Sequence, residues 1–388
     1  LVRQEEYVSV RINVPGMKTN ITRAAAEDNI TSITALVFRN DALIAKETAT
    51  DITEENFIIP KPKSGDVIHF LANLSDSEKD ALLETDGTQT EVLCGLTTDF
   101  YSLRYWGMAT YEEGADLSTT LYRSMAKVEI AAGTNCTFRD DELYIAGLAN
   151  ANTEGKLVPY NNGFTFDLGT NDYYTLPERD VNAIRYPNEL DNPVKSLYVL
   201  EHDNLPTTDG ALYIICQIGK DYYKVALTSD GETPYDIIRN HRYVIYVSDL
   251  DEGADDFDAA VDGDPINLVV KEYKDATFSV TTDQTIQYGS TLPITLTVPN
   301  GSTLKNLSIT AEGFTIKQGD TPLGTDSYEA NNLTYTNTDV TYTFVPTSTG
   351  SSLPITFSGS GEWLNEFSQE ILVTVNKALS WVIVWMYR

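Results

Sequence analysis

Three histidines, three cysteines and one acidic run are the residues of this chain whose types could do chemistry. His69 lies inside the apolar run Val67-Ile68-His69-Phe70-Leu71 and reads as a core or edge residue rather than a base or ligand. His202, in Leu200-Glu201-His202-Asp203-Asn204, stands beside acidic groups at a strand end, where a metal or acid/base role is the rarer alternative. His241 follows Arg239-Asn240 at a strand entrance, where a turn or cap is expected. Cys94, Cys136 and Cys216 form no CxxC and no Cys/His pair at zinc spacing. Cys216, within Leu212–Ile218, reads as a small buried hydrophobe. Cys94 and Cys136 could pair, although an odd cysteine count argues against a disulfide-stapled scaffold. Asp249–Asp264 carries eight acidic side chains among sixteen residues but lacks EF-hand spacing and a closing Glu. It reads as a solvated loop, with opportunistic calcium binding as the alternative. No GxSxG, HExxH, GxGxxG or Walker loop occurs. The expectation is therefore a non-enzyme without catalytic residue, resident metal or cofactor. Two carboxylates facing each other across a cleft would be the exception.

Aromatic residues offer a second kind of chemistry. Phe100-Tyr101-Ser102-Leu103-Arg104-Tyr105-Trp106 could present rings to a sugar, or alternate rings could fill a core. The segment Leu379–Tyr387 is almost wholly apolar, with Trp381, Ile383 and Trp385 on one alternating face. It suits either a closing strand or a strand donated to another subunit.

The elements that must position these groups are strands. Val8, Val10, Ile12 and Val14 alternate with Ser9, Arg11 and Asn13, the period-two pattern of a half-buried strand, and Pro15-Gly16 ends it. Further strands are expected at Ile30–Phe38, Ala42–Glu47 after an Asn40-Asp41 turn, and Asp66–Ala72. More follow at 123–131, 143–147, 196–201, 212–218, 222–227, 241–247 and 266–270. Ser75–Leu93 holds one expected short helix. From Asp275 the composition shifts to Thr, Ser, Gly and Asn, with ten acidic and four basic residues in 114. Short strands with turn signals there read as a separate immunoglobulin-like sandwich. No fixed-period repeat indicates a solenoid.

Composition excludes other classes. With 57 acidic and 27 basic side chains, a net charge of −30 repels a phosphate backbone, so no nucleic-acid partner is expected. An anionic bilayer is disfavoured for the same reason. No stretch reaches the roughly 18 apolar residues of a membrane span. The start at Leu1-Val2-Arg3 shows no secretory signal and reads like a mature or trimmed chain, any targeting peptide or lipidated cysteine lying upstream.

In order and spacing, five landmarks resemble the fimbrillin family, the type V pilins of Bacteroidetes. They are the alternating first strand followed by Thr22-Arg23-Ala24, then Ile33–Phe38, then Gly65–Asn73, then Leu121–Ile130. The fifth is Leu197–Glu201 with Ile238–Tyr243. The resemblance covers roughly residues 7 to 270. It implies two transthyretin-like β-sandwich domains, 1–120 and 121–274, ahead of the immunoglobulin-like domain 275–388. It also implies export as a lipoprotein, an outer-membrane precursor and a place in a cell-surface fimbrium. An Arg-specific maturation protease would cut after Arg23, making Ala24 the new N-terminus. Loss of the strand carrying Val8, Val10, Ile12 and Val14 would then open a groove for another pilin subunit's strand. Stalk pilins of the family end soon after the second domain, so the extra domain implies a tip or accessory subunit contributing to adhesion, with a host glycan or protein as its ligand. A stalk pilin donating Trp381, Ile383 and Trp385 is the alternative, as is a surface glycan-binding module.

Overall fold

The computed structural model describes residues 7–13, 30–49, 57–113, 117–159, 182–185, 194–202, 204, 211–229, 231, 233–280 and 284–377. Their regular elements are almost all strands, arranged in two compact units, one reaching Lys274 and the other starting at Asp275.

The first unit contains two sandwich cores. In the first, a five-stranded antiparallel sheet runs in the order Ala42–Ala49, Ile33–Arg39, Val67–Ala72, Tyr105–Thr110, Tyr122–Arg123. Asn40 and Asp41 both take left-handed φ, 49° and 69°, the backbone a tight two-residue hairpin needs and that Asn and Asp tolerate best. The Ile33–Phe38 run is buried at every position, because this sheet is covered on both faces. One face, carrying Ile33, Ala35, Val37, Phe70 and Tyr105, packs on a three-stranded layer made by Phe57–Pro60, Tyr7–Asn13 and Leu117–Thr120. The other, carrying Leu36, Phe38, Leu71 and Trp106, is covered by Leu82, Val92 and Leu93. Those residues sit on two short helices, Asp76–Glu84 and Gln89–Leu93, where the sequence suggested one. Each begins with a capping box, Ser75 with Glu78 and Thr88 with Glu91, and Gly87 with its left-handed φ of 145° lies between them.

The second core lies between two more sheets. One runs Ser196–Leu200, Met125–Ala132, Arg242–Val247, Val269–Tyr273, with its two middle strands parallel. The other runs Asn182–Arg185, Leu143–Ala151, Tyr213–Ile218, Asp221–Ala226, Ile266–Asn267. The strand expected over 266–270 is thus two strands, Ile266–Asn267 and Val269–Tyr273, in different sheets. Part of the acidic stretch is a helix, Phe257–Asp262, capped by Asp256 and laying Phe257 and Ala260 against Ala149 and Ile215. The two sandwiches are tied by a small sheet pairing Thr97–Asp99 with Glu154–Lys156, which carries Leu157 and Val158 into the core around Trp106.

The second unit is a β-sandwich in which Thr277–Val280 is short as expected but the strands from Leu292 onward far exceed the short ones expected. Leu292–Gln318 is continuous over 27 residues. Its first part pairs with Thr277–Val280 and with 338–344, its middle with 356–362, and its end again with 342–346. It therefore passes from one layer to the other and back, turning at Gly301 (φ 84°) and Gly313 (φ 85°). The core holds Leu296, Ile309, Phe314, Tyr342, Phe344, Phe357 and Val373.

Candidate functional site

The strand Tyr7–Asn13 is the middle strand of its layer. Tyr7, Val8, Ser9 and Val10 pair antiparallel with Pro60, Ile59, Ile58 and Phe57. Val10, Arg11, Ile12 and Asn13 pair parallel with Leu117, Ser118, Thr119 and Thr120. Among the described pairs, Val10 is the residue that appears in both registers. It is also the deepest residue of the strand, 2% exposed, while Val8 and Ile12 are half-buried against the same core. Val8, Val10 and Ile12 of the alternation read from the sequence thus face the core as expected.

Its neighbours alternate in step. Phe57 and Ile59 point inward and Ile58 is half exposed, with the Phe57 ring standing edge-on to Phe70 at 6.2 Å. Leu117 and Thr119 point inward on the other side, and the Thr119 hydroxyl donates to the Met108 carbonyl at 3.2 Å. Neither flanking strand pairs with any other strand among the described residues. The sequence reading assigned no strand to either. Their available signals were a four-residue apolar run closed by Pro60 and the β-prone Leu117-Ser118-Thr119-Thr120.

A polar clasp fixes the chain beyond Pro60. Arg39 donates to both Asp66 oxygens, at 2.8 and 2.6 Å, and the Lys63 amide donates to Asp66 Oδ2 at 2.7 Å. Burial pushes the Asp66 carboxyl up, but these hydrogen bonds and the nearby positive charges outweigh it and hold the group below its ordinary range. The Gly65 and Tyr111 amides close the loop onto the next strand by donating to the Tyr111 and Asp66 carbonyls.

Arg23, Ala24, Val14, Trp381, Ile383 and Trp385 lie outside the described residues. Of the other candidates, His69 is fully buried. Trp106 Nε1–H donates to its Nδ1 at 3.1 Å, leaving the Nε2 proton to donate to Gln89 Oε1 at 2.9 Å. Burial lowers its pKa to about 4, so it is a neutral core residue. His202 is buried and its backbone pairs in both directions with Ile237. His241 does close a turn, its amide donating to the Ile238 carbonyl. Its buried ring does more, donating from Nδ1 to Glu272 at 2.7 Å. All three cysteines are free, so Cys94 and Cys136 do not pair. In the aromatic stretch Phe100, Tyr105 and Trp106 are buried and Tyr101 is 80% exposed, which leaves a sugar one ring to stack on. Among the described residues no group of three or more His, Cys, Asp or Glu is placed to hold a metal ion.

Several landmark residues converge at the junction of the two sandwiches. The Arg239 guanidinium, 1% exposed, donates to Glu201 at 2.6 Å and to the Leu157 and Lys156 carbonyls at 2.8 Å each. Arg123 donates to Asn240 Oδ1 at 3.4 Å and lies over the Tyr105 ring. Periodicity could not have paired Arg239 with Glu201, because 38 residues separate them.

No family model matches the chain, and no curated protein matches it. Among solved structures it is similar to a fimbrilin from Porphyromonas gingivalis, at 15% identity and a TM-score of 0.41, over 68% of this chain and 95% of that one. It is also similar to a fimbrial assembly protein from Parabacteroides distasonis, at 12% identity and a TM-score of 0.41, over 62% of this chain and 91% of that one.

Proposed function

We propose that this chain is a non-enzymatic fimbrial subunit whose first strand is a replaceable plug, cut free after Arg23 and exchanged for a strand of another subunit. The observation that carries this reading is the position of Tyr7–Asn13 between two strands that have no other described partner. Losing it would strip two ladders at once and uncover the core around Val10. At about 1 kcal/mol net per hydrogen bond and 1.5–3 kcal/mol per buried aliphatic side chain, that penalty is comparable to the whole stability of a domain. A vacated layer therefore has a strong drive to capture another strand. The landmark order in the sequence supports the same reading. The division 1–120, 121–274 and 275–388 belongs to this proposal, and the additional unit from Asp275 favours a tip or accessory place.

The test is digestion of the folded chain with an Arg-specific protease. The expected result is a new N-terminus at Ala24 and conversion of monomer to multimer by size-exclusion chromatography. A folded chain that is cut there and stays monomeric at all concentrations would falsify the proposal.

A further inference from the structure

The two outward faces of the sandwich that starts at Asp275 treat their polar side chains differently. On one layer these groups satisfy each other: the Thr295 and Thr341 hydroxyls share a hydrogen bond at 2.8 Å, and Thr297 donates to Asp339 at 2.6 Å. On the other layer Glu329, Ser308, Ser358 and Ser368 are successive cross-strand partners. They form one row across Thr321–Ala330, Leu292–Gln318, Gly350–Glu362 and Leu364–Asn376. Their chain neighbours Leu307, Ile309 and Phe357 are buried in the core, so the row faces outward. Beside it Asn306 and Ser360 are also cross-strand partners, the amide donating to the hydroxyl at 3.2 Å.

Serines at the centre and the longer Glu329, Asn331 and Glu366 at the rim make this face concave. The resulting trough holds about 490 Å³, within the range of small-molecule sites. The row crosses three inter-strand steps, roughly 14 Å. Among the described residues, the hydroxyls of Ser308, Ser358 and Ser368 and the carboxylates of Glu329 and Glu366 have no hydrogen-bond or ion-pair partner. No Lys, Arg or His lines the trough, and Phe367 at its border packs its ring edge-on to Phe278 at 5.5 Å. Two carboxylates without a cation repel an anionic ligand, and a floor of hydroxyls gives an apolar side chain little to bury against. A polyol fits, because it can donate to the carboxylates and can both donate to and accept from Ser and Asn.

We propose that this trough binds a short uncharged oligosaccharide, with Glu329 and Glu366 accepting from its hydroxyls and Ser308, Ser358 and Asn306 contacting it from the floor. Binding there needs neither cleavage after Arg23 nor strand exchange.

The experiment uses the uncut full chain, fluorescently labelled, on an array of immobilised oligosaccharides. Neutral ones are built of glucose, galactose, mannose or N-acetylglucosamine, acidic ones of galacturonate, and trilysine spots report a bare attraction to carboxylates. Retention is expected on neutral oligosaccharides. Ser358→Trp, which fills the trough, should lower it at least tenfold. The double variant Glu329→Ala/Glu366→Ala changes only exposed side chains, so its urea midpoint should match the wild type while its retention also falls at least tenfold. Retention on no neutral oligosaccharide overturns the proposal, whether or not galacturonate or trilysine holds the chain. An unchanged signal in the folded double variant overturns it too, whatever Ser358→Trp does, because the sugar then sits elsewhere. None of these outcomes bears on the Arg23 digestion, so the assembly reading stands or falls separately.

Discussion

His69 is held in one neutral tautomer, because Trp106 donates to one ring nitrogen and Gln89 accepts from the other. A second ring proton would point at the Trp106 N–H. The folded pKa, about 4, lies below the ordinary 6.5, so between these values the unfolded chain takes up a proton that the folded chain refuses. The stability tied to His69 is complete above pH 6.5 and is lost as the pH falls through 4. At about 1.4 kcal/mol per unit this is about 3 kcal/mol. Urea midpoints measured from pH 7 to 4.5 should fall steeply for the wild type and flatten for His69→Gln, whose amide can keep both hydrogen bonds. Glu272 acts lower on the scale. Burial pushes it up, but the His241 hydrogen bond and the charges of His241 and Lys274 hold it below its ordinary range, so its contribution is lost only in stronger acid. The Arg239–Glu201 pair gives a different prediction. Arg239→Met strands a buried carboxylate and should cost about 3–5 kcal/mol in urea unfolding, and adding Glu201→Gln should recover part of it.

At the scale of elements, the first strand, the Asn40-Asp41 hairpin and the strand around His69 were legible, because one-sided or continuous burial writes itself into the spacing of apolar residues. Phe57–Pro60 and Leu117–Thr120 were not. Four-residue segments carry barely two periods of alternation, and what makes them strands is the neighbour between them. The Phe257–Asp262 helix hid in the acidic run because only Phe257 and Ala260 of it are buried. The Asp256 cap was its one local signal. Gly107 was equally silent: a Cβ there would stand 2.4 Å from the Thr120 carbonyl oxygen and 2.9 Å from Leu121. That close approach brings the Tyr105–Thr110 strand up to the segment that flanks the first strand. Gly107→Ala should therefore cost roughly 1–3 kcal/mol by overpacking. Val10→Asp should open the layer built around the first strand. Amide exchange is expected to speed up together in Phe57–Pro60 and Leu117–Thr120 while Met125–Ala132 keeps its protection. Acceleration confined to residues 7–13 would show that the flanks stand without the strand.

At the scale of the whole chain, the boundary at Asp275 separates two units with cores of their own. A separately expressed 275–388 fragment should unfold cooperatively in urea, and a fragment without a cooperative transition would refute that independence. Within this unit the 27-residue strand Leu292–Gln318 has a mechanical consequence. A sandwich whose layers share no strand can part like two boards, each sheet peeling on its own. Here one continuous backbone is stitched through both layers, with 338–346 held between its two ends. Sliding one layer past the other must therefore break ladder bonds of this shared strand, so the two layers cannot part independently.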